Sequence, residues 1–260
     1  MTTRTNRPRY NNTAIVIPAR LASTRLPNKP LLDIEGVPMI VRVWNQAKQA
    51  DLGKVIVATA DREIADVITK AGGKAVMTDA DLPSGSDRIA QALEKIDVQG
   101  KFTTVINLQG DMPTINPDAI ASCLEPLLDP AVDISTLVVK SDDDDEKVDP
   151  NAVKAILKLA PGGKTARALN FCRRLPVDHT GSHYHHIGIY AYRRTALETF
   201  VKLPVSAREK TESLEQLRAL DAGMRIDAAL VDTFPLGVDT PADLERVRAL
   251  VKASEKTGAQ

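Results

Sequence analysis

The chain has 260 residues, and its 34 Lys+Arg are matched by 34 Asp+Glu, so the formal net charge is zero. That balance excludes the basic excess of a dedicated nucleic-acid binder, and four Phe, four Tyr and one Trp leave few platforms for stacking single strands. A hydrophobic fraction of 43% fills a globular interior, the length suits one to two domains, and no apolar run approaches the ~18 residues needed to cross a bilayer.

Residues 1–12 are polar, with Arg4, Arg7 and Arg9 but no apolar core, and read as a disordered tail rather than a secretory signal. Cys123 and Cys172 make no disulfide framework, which suits a soluble cytoplasmic protein. From Thr13 onward, short apolar runs alternate with amphipathic stretches. Ala14 to Ile17 and Lys54 to Thr59 predict buried strands. Between them Met39, Ile40, Val43, Trp44 and Ala47 recur at helical spacing after Pro38. Asp61 to Ala71 predicts a second helix, stopped by Gly72-Gly73. Strands at Ala75 to Met77 and Thr104 to Leu108, a helix from Pro117 to Leu128 and a strand at Ile134 to Val139 continue the alternation. This pattern specifies an α/β fold with a mostly parallel central sheet covered on both faces.

The pattern then changes. Ser141 to Asp149 is an acidic run that reads as a solvated loop. Ala152 to Leu159, Ala166 to Cys172 and Ile187 to Tyr192 predict strands without intervening helices, hence a small antiparallel subregion over about 150–193. A helix near Ser213 to Ala222, a strand at Ile226 to Val231 and a last helix from Pro241 to about Ala253 follow. One α/β domain over 13–253 results, with 254–260 as a tail.

Pro18 to Pro30, P-A-R-L-A-S-T-R-L-P-N-K-P, directly follows the first strand, and its three prolines forbid a regular helix. It is a loop at the carboxyl end of a strand, where open α/β sheets bind ligands. Arg20, Arg25 and Lys29 give it three cations suited to a triphosphate of about four negative charges. In Asn107-Leu-Gln-Gly-Asp-Met-Pro113, Gly110 permits a tight turn that projects Asp111 at a sheet end, placed either for Mg²⁺ or simply for capping. Asp239 lies just outside a Thr240 cap, able to join Asp111 on one cation or to complement the helix dipole. Ser84-Gly-Ser-Asp-Arg88 opens another helix with Ser86 or Asp87 as cap, its N–H groups and Arg88 available to a base or phosphate. Ser213 and Gln216 fit a capping box.

Two further patterns are decoys. Gly163-Lys164-Thr165 imitates the end of a P-loop, but Lys158 stands where its first glycine belongs. His179, His183, His185 and His186 cluster, yet no Cys or carboxylate pair completes a zinc ligand set, so a polar loop is expected there.

Together these segments resemble the 3-deoxy-manno-octulosonate (Kdo) cytidylyltransferases from Thr13 to about Val251. The resemblance rests on P-A-R-x-x-S-T-R-L-P-x-K-P, V-x-x-Q-G-D, H-x-G-I-Y-x-Y-R (His186 to Arg193), L-E-Q-L-R (Leu214 to Arg218) and G-V-D-T-P-x-D-L-E (Gly237 to Glu245). It implies a Rossmann-like nucleotidyltransferase fold, a homodimer built partly through the antiparallel subregion, and transfer of CMP from CTP to Kdo for lipopolysaccharide synthesis. Carried over residue by residue, it implies that Arg20, Arg25 and Lys29 hold the triphosphate. Ala19, Ser84, Gly85, Ser86 and Arg88 surround the cytidine, and Asp111 and Asp239 hold Mg²⁺. Gln109, Arg173, His186, Tyr190, Glu215 and Gln216 line the sugar pocket, with Lys29, Arg25 and Asp111 nearest the chemistry. Asn28, Met112, Asn170, Cys172 and Val177 depart from the family pattern, most of them on the sugar side. An 8-amino-Kdo or sialic-type acceptor, or a nucleotide-binding protein without turnover, are the alternatives.

Overall fold

Side-chain alternation along the first strand, β1 (Thr13–Ala19), sets the layering. Ile15 and Ile17 enter one buried cluster, Ala14 and Val16 another, because successive residues of a strand face opposite ways. The computed structural model describes residues 12–22, 26–160, 162–176, 179–180 and 182–258, of which 255–258 as backbone only. In chain order β1 is followed by a short hairpin, β2 (Asp33–Ile34) and β3 (Val37–Pro38), then α1 (Met39–Ala50), β4 (Lys54–Thr59), α2 (Arg62–Lys70), β5 (Lys74–Met77), α3 (Gly85–Ile96) and β6 (Thr104–Asn107). Next come α4 (Pro117–Ser122), β7 (Ile134–Ser141), α5 (Asp144–Val148), β8 (Lys154–Lys158), β9 (Thr165–Cys172) and β10 (His183–Arg193). The chain ends with α6 (Arg194–Phe200), α7 (Ala207–Glu212), α8 (Leu217–Asp221), β11 (Ile226–Leu230) and α9 (Pro241–Gly258).

The main sheet runs β5-β4-β1-β6-β10-β7-β11-β9-β8. β5, β4, β1 and β6 are parallel, as are β7 and β11, whereas β10 is antiparallel to both of its neighbours, β6 and β7. β8 pairs antiparallel with β9 and with the start of β10, so the predicted antiparallel subregion is an extension of the main sheet. Ile40, Val43, Trp44 and Ala47 of α1 pack on the Ile15/Ile17 face. Ile89, Ala92 and Leu93 of α3, with Leu197 and Phe200 of α6, cover the other. α9 closes a third cluster in which Leu244, Val247 and Val251 meet Leu26, Ile34 and Met39.

Several expectations need correction. The helix expected over Pro117 to Leu128 ends at Ser122, and Glu125–Leu128 forms a separate 3-10 turn. Pro126 has no N–H to continue an α-helical ladder. The acidic run contains the short helix α5, capped by Asp143, and Glu146 reaches inward to accept from His183 Nε2 at 3.1 Å and to contact His185. His183, His185 and His186 belong to β10 rather than to a polar loop, with His183 and His186 buried. Ser213 does not open a helix; it ends α7 with φ at 53°, and the capping box is Ser206 with Glu209. α8 starts only at Leu217, and α9 runs on to Gly258 through the expected C-terminal tail. The tail expected at 1–12 lies, but for Asn12, outside the described residues.

Asn28, where the family pattern has glycine, adopts φ 56° and ψ 24° just before the 3-10 turn Lys29–Leu31. Asparagine is among the residues that best tolerate this left-handed region. Replacing Asn28 with Gly is therefore expected to change stability by a few tenths of a kcal/mol, and replacing it with Val to cost about 1–2 kcal/mol. Paired urea melts check this, and equal midpoints for the two variants would refute it.

Candidate active site

The carboxyl ends of β1 and β6 open into a cleft of about 420 Å³. Its walls include Ala19 at the end of β1, Arg20 and Lys29 from the segment after it, Ser84, Gly85 and Arg88 from the cap and first turn of α3, and Gln109, Gly110, Asp111 and Asp239. Two glycines allow these segments to close together. A Cβ on Gly85 would stand 3.2 Å from Pro18 Cγ, and one on Gly110 3.3 Å from both Ile40 Cδ1 and the Pro18 carbonyl oxygen. The loop itself is anchored by the Leu21 N–H, which donates to Asp61 Oδ2 at 2.8 Å.

Lys29 is the centre of the polar wall. Its ammonium donates to Asp111 Oδ2 and to Asp239 Oδ1, each at 3.0 Å. The Val238 N–H donates to the Asp111 carbonyl at 2.9 Å, tying the two acidic segments together. Asp239 is followed by the predicted Thr240 cap, in which Thr240 Oγ1 accepts from the Asp243 N–H at 3.2 Å and Asp243 returns the bond to the Thr240 N–H at 2.8 Å. Burial lowers the Lys29 pKa, but the carboxylates of Asp111 and Asp239 outweigh it, and the net displacement is upward.

The ammonium marks one point at which two carboxylate oxygens converge, as they would on a divalent cation. Among the described residues no group of three or more His, Cys, Asp and Glu side chains gathers to hold a metal. A cation here would thus rest on two carboxylates, leaving positions for phosphate oxygens and water. That arrangement fits Mg²⁺, which dehydrates reluctantly and is held through one or two carboxylates plus substrate phosphates.

The cap of α3 is Ser84, not Ser86 or Asp87: its hydroxyl accepts from the Asp87 N–H at 3.2 Å. Ser86 is buried, donating to Glu215 Oε2 at 3.2 Å. Arg88 borders the cleft while its guanidinium bonds Thr78 Oγ1 and the carbonyls of Asp79 and Ala80, fixing the turn after β5. Arg25 lies outside the described residues.

Of the residues assigned to a sugar, Gln109 lines the cleft and donates to Asn107 Oδ1 at 2.7 Å. Glu215 Oε1 and Gln216 Nε2 are buried and have no hydrogen-bond partner among the described residues. Burial raises the Glu215 pKa, against hydrogen bonds from Ser84 and Ser86. An unmatched acceptor and donor in adjacent residues cost stability unless a polar ligand completes them. His186 Nε2 lies 2.9 Å from Thr136 Oγ1, and its ring packs against Phe171 and Tyr190. Arg173 is committed elsewhere, donating to the carbonyls of Glu212, Pro150 and Ser213.

One residue escaped the sequence reading. Lys154 is fully buried, and its ammonium donates to the carbonyls of Asp149 and Ala152 at 2.6 Å and of Arg173 at 2.7 Å. With Arg173 it clamps the turn before β8 to the exit of β9 and, through Ser213, to the segment carrying Glu215. A lysine inside the apolar run Ala152 to Leu157 was the available signal.

A cytidylyltransferase family model matches residues 14–226. A protein of Paramagnetospirillum magneticum (strain ATCC 700264 / AMB-1) named 3-deoxy-manno-octulosonate cytidylyltransferase is 56% identical over 239 residues, 92% of this chain and 97% of its own. The chain belongs to the 3-deoxy-manno-octulosonate cytidylyltransferases. Another member, from Rhodospirillum centenum (strain ATCC 51521 / SW), is 54% identical over 249 residues, 96% of each chain. A CMP:2-keto-3-deoxy-manno-octonic acid synthetase solved with CTP superposes with a TM-score of 0.85 at 40% identity, over 94% of this chain and 100% of that one. A nucleotidyl transferase from Methanothermobacter, 17% identical with a TM-score of 0.62 over 94% of this chain and 99% of its own, shares the fold alone.

Proposed function

We propose that this protein transfers CMP from CTP to the anomeric hydroxyl of Kdo, giving CMP-Kdo for lipopolysaccharide synthesis and pyrophosphate. The observation that carries this reading is the Lys29–Asp111–Asp239 constellation at the strand-end cleft of a 3-deoxy-manno-octulosonate cytidylyltransferase chain. The hydroxyl oxygen forms a bond to the α-phosphorus as the bond to pyrophosphate breaks, and the hydroxyl proton passes to solvent water. Little covalent work falls to the protein in such a displacement; positioning and charge stabilisation dominate. Arg20 and Lys29, with Arg25, hold the triphosphate. Ala19 and the Ser84 to Arg88 segment enclose the cytidine, while the cap at Ser84 sets the opening of α3. Asp111 and Asp239 would hold Mg²⁺, which when bound would offset phosphate charge and make the attacking hydroxyl more acidic. Gln109, Glu215 and Gln216 orient the sugar, and His186 and Tyr190 form the wall behind them.

The same reading makes the protein a cytoplasmic homodimer joined partly through the antiparallel extension, where Leu169 of β9 is 52% exposed. Light scattering on the eluted protein tests this, a monomer mass at micromolar concentration being the result against it.

Pyrophosphate release from the purified protein is the direct test, with Mg²⁺, CTP and Kdo omitted in turn and N-acetylneuraminate or 8-amino-Kdo substituted. Release that requires both CTP and Kdo supports the assignment. Release with either substitute but not with Kdo moves the acceptor, and silence with every sugar despite CTP binding favours a protein without turnover.

A further inference from the structure

We infer that Lys29 is an exchangeable counter-cation, occupying the convergence point of Asp111 and Asp239 until a triphosphate draws it away and leaves the pair to a metal ion. This rests on the reading of Asp111 and Asp239 as the metal-holding pair. The ammonium is 3.0 Å from each carboxylate, and the Lys29 side chain is 17% exposed, against 32% for Asp111 and 48% for Asp239. The lysine therefore approaches from the protein side, while the acids retain open outer faces. A positive charge held there opposes a second cation on the same oxygens, because like charges within a few ångströms repel strongly in a partly desolvated site.

A nucleotide changes the balance. A triphosphate brings about four negative charges against the two of the carboxylates, and it enters a cleft that Lys29 already lines. Lysine suits the exchange, being a point charge on a flexible four-carbon stem rather than a planar fork fixed to one partner. As the ammonium turns to the phosphates, the Lys29 charge leaves the two carboxylates just as metal-accompanied phosphate oxygens arrive. Metal and nucleotide then bind with positive coupling, and by linkage each tightens the other by the same factor. Without nucleotide the protein holds divalent metal weakly, and its two acids stay paired rather than repelling across the cleft.

The test measures Mn²⁺ affinity without nucleotide, by the loss of the free-ion electron paramagnetic resonance signal, for the wild type, Lys29→Met, Lys29→Gln and Lys29→Met with Asp111→Asn. Both single variants are expected to bind Mn²⁺ about tenfold tighter than the wild type, the scale of one part-buried ion pair removed from competition. Adding CTP, with the metal bound by free CTP subtracted, is expected to tighten Mn²⁺ binding in the wild type more than in either variant. Equal or weaker Mn²⁺ binding by both single variants, with the double variant weaker still, overturns the exchange and leaves the metal site standing. A double variant that binds Mn²⁺ as tightly as Lys29→Met overturns the metal-site reading and the inference with it. Thermal melts of all four proteins establish that folded protein is being compared.

Discussion

Asp111→Asn is expected to lower kcat for pyrophosphate release by about a thousandfold while moving the melting temperature by no more than a few degrees. The asymmetry follows from position. Asp111 projects from the turn after β6, its side chain is 32% exposed, and its carboxylate meets the ammonium of Lys29, which also holds Asp239. Loss of one part-exposed ion pair costs about 1 kcal/mol or less. On the proposed reading the same carboxylate would hold the metal ion that offsets charge at the transferring phosphoryl group, where removing one preorganised contributor costs about 3–4 kcal/mol of transition-state stabilisation. Steady-state rates with saturating CTP and Kdo, beside calorimetric melts, check both halves. A protein melting many degrees lower with its kcat retained would show that Asp111 serves the fold.

That prediction was legible in the sequence because strand-end loops announce themselves. The apolar runs of β1, β4 and β6 are bounded by proline, glycine and charge, and their continuous apolar character matches a sheet buried on both faces. The second half was harder to read. The start of β10 is His183-Tyr184-His185-His186, polar by composition, and only the fold shows that Glu146 and Thr136 reach His183 Nε2 and His186 Nε2 from distant segments. The helix boundary at Ser213 failed for a local reason, since the same S-x-x-Q spacing that fits a cap also fits a left-handed exit from α7.

The strand-end cleft was legible for the same physical reason as the strands: its lining residues lie in contiguous loops. Lys29 and the two acids were named from three separate segments, and the fold brings them within hydrogen-bond distance. The environment of the residues expected to meet a sugar depends on tertiary contacts that no spacing encodes. Arg173 has the right charge, yet carbonyls of the 150 turn and of the α7 exit take up its guanidinium. Lys154, which joins that clamp, is invisible to any rule that assigns lysine to the surface.

His186 gives the largest stability effect. Burial, assisted by the neighbouring His185, holds its pKa down to about 3, so the folded protein keeps this imidazole neutral beside Thr136. An unfolded chain protonates it near its ordinary value of 6.5. Between those two values the unfolded state binds the extra proton, so the contribution is complete above pH 6.5 and is lost as pH falls toward 3. By pH 4 the loss reaches on the order of 3 kcal/mol. Other groups titrate in the same range, so the measurement is the difference between the wild type and His186→Gln, which keeps a polar partner for Thr136 but cannot ionise. Urea unfolding at intervals from pH 7.5 to pH 4 is expected to show the wild type ahead at neutral pH and its advantage shrinking by about one proton's slope below pH 6.5. Parallel stability curves for the two proteins across that range would mean that His186 binds its proton equally in both states, as it would in a β10 strand open to water.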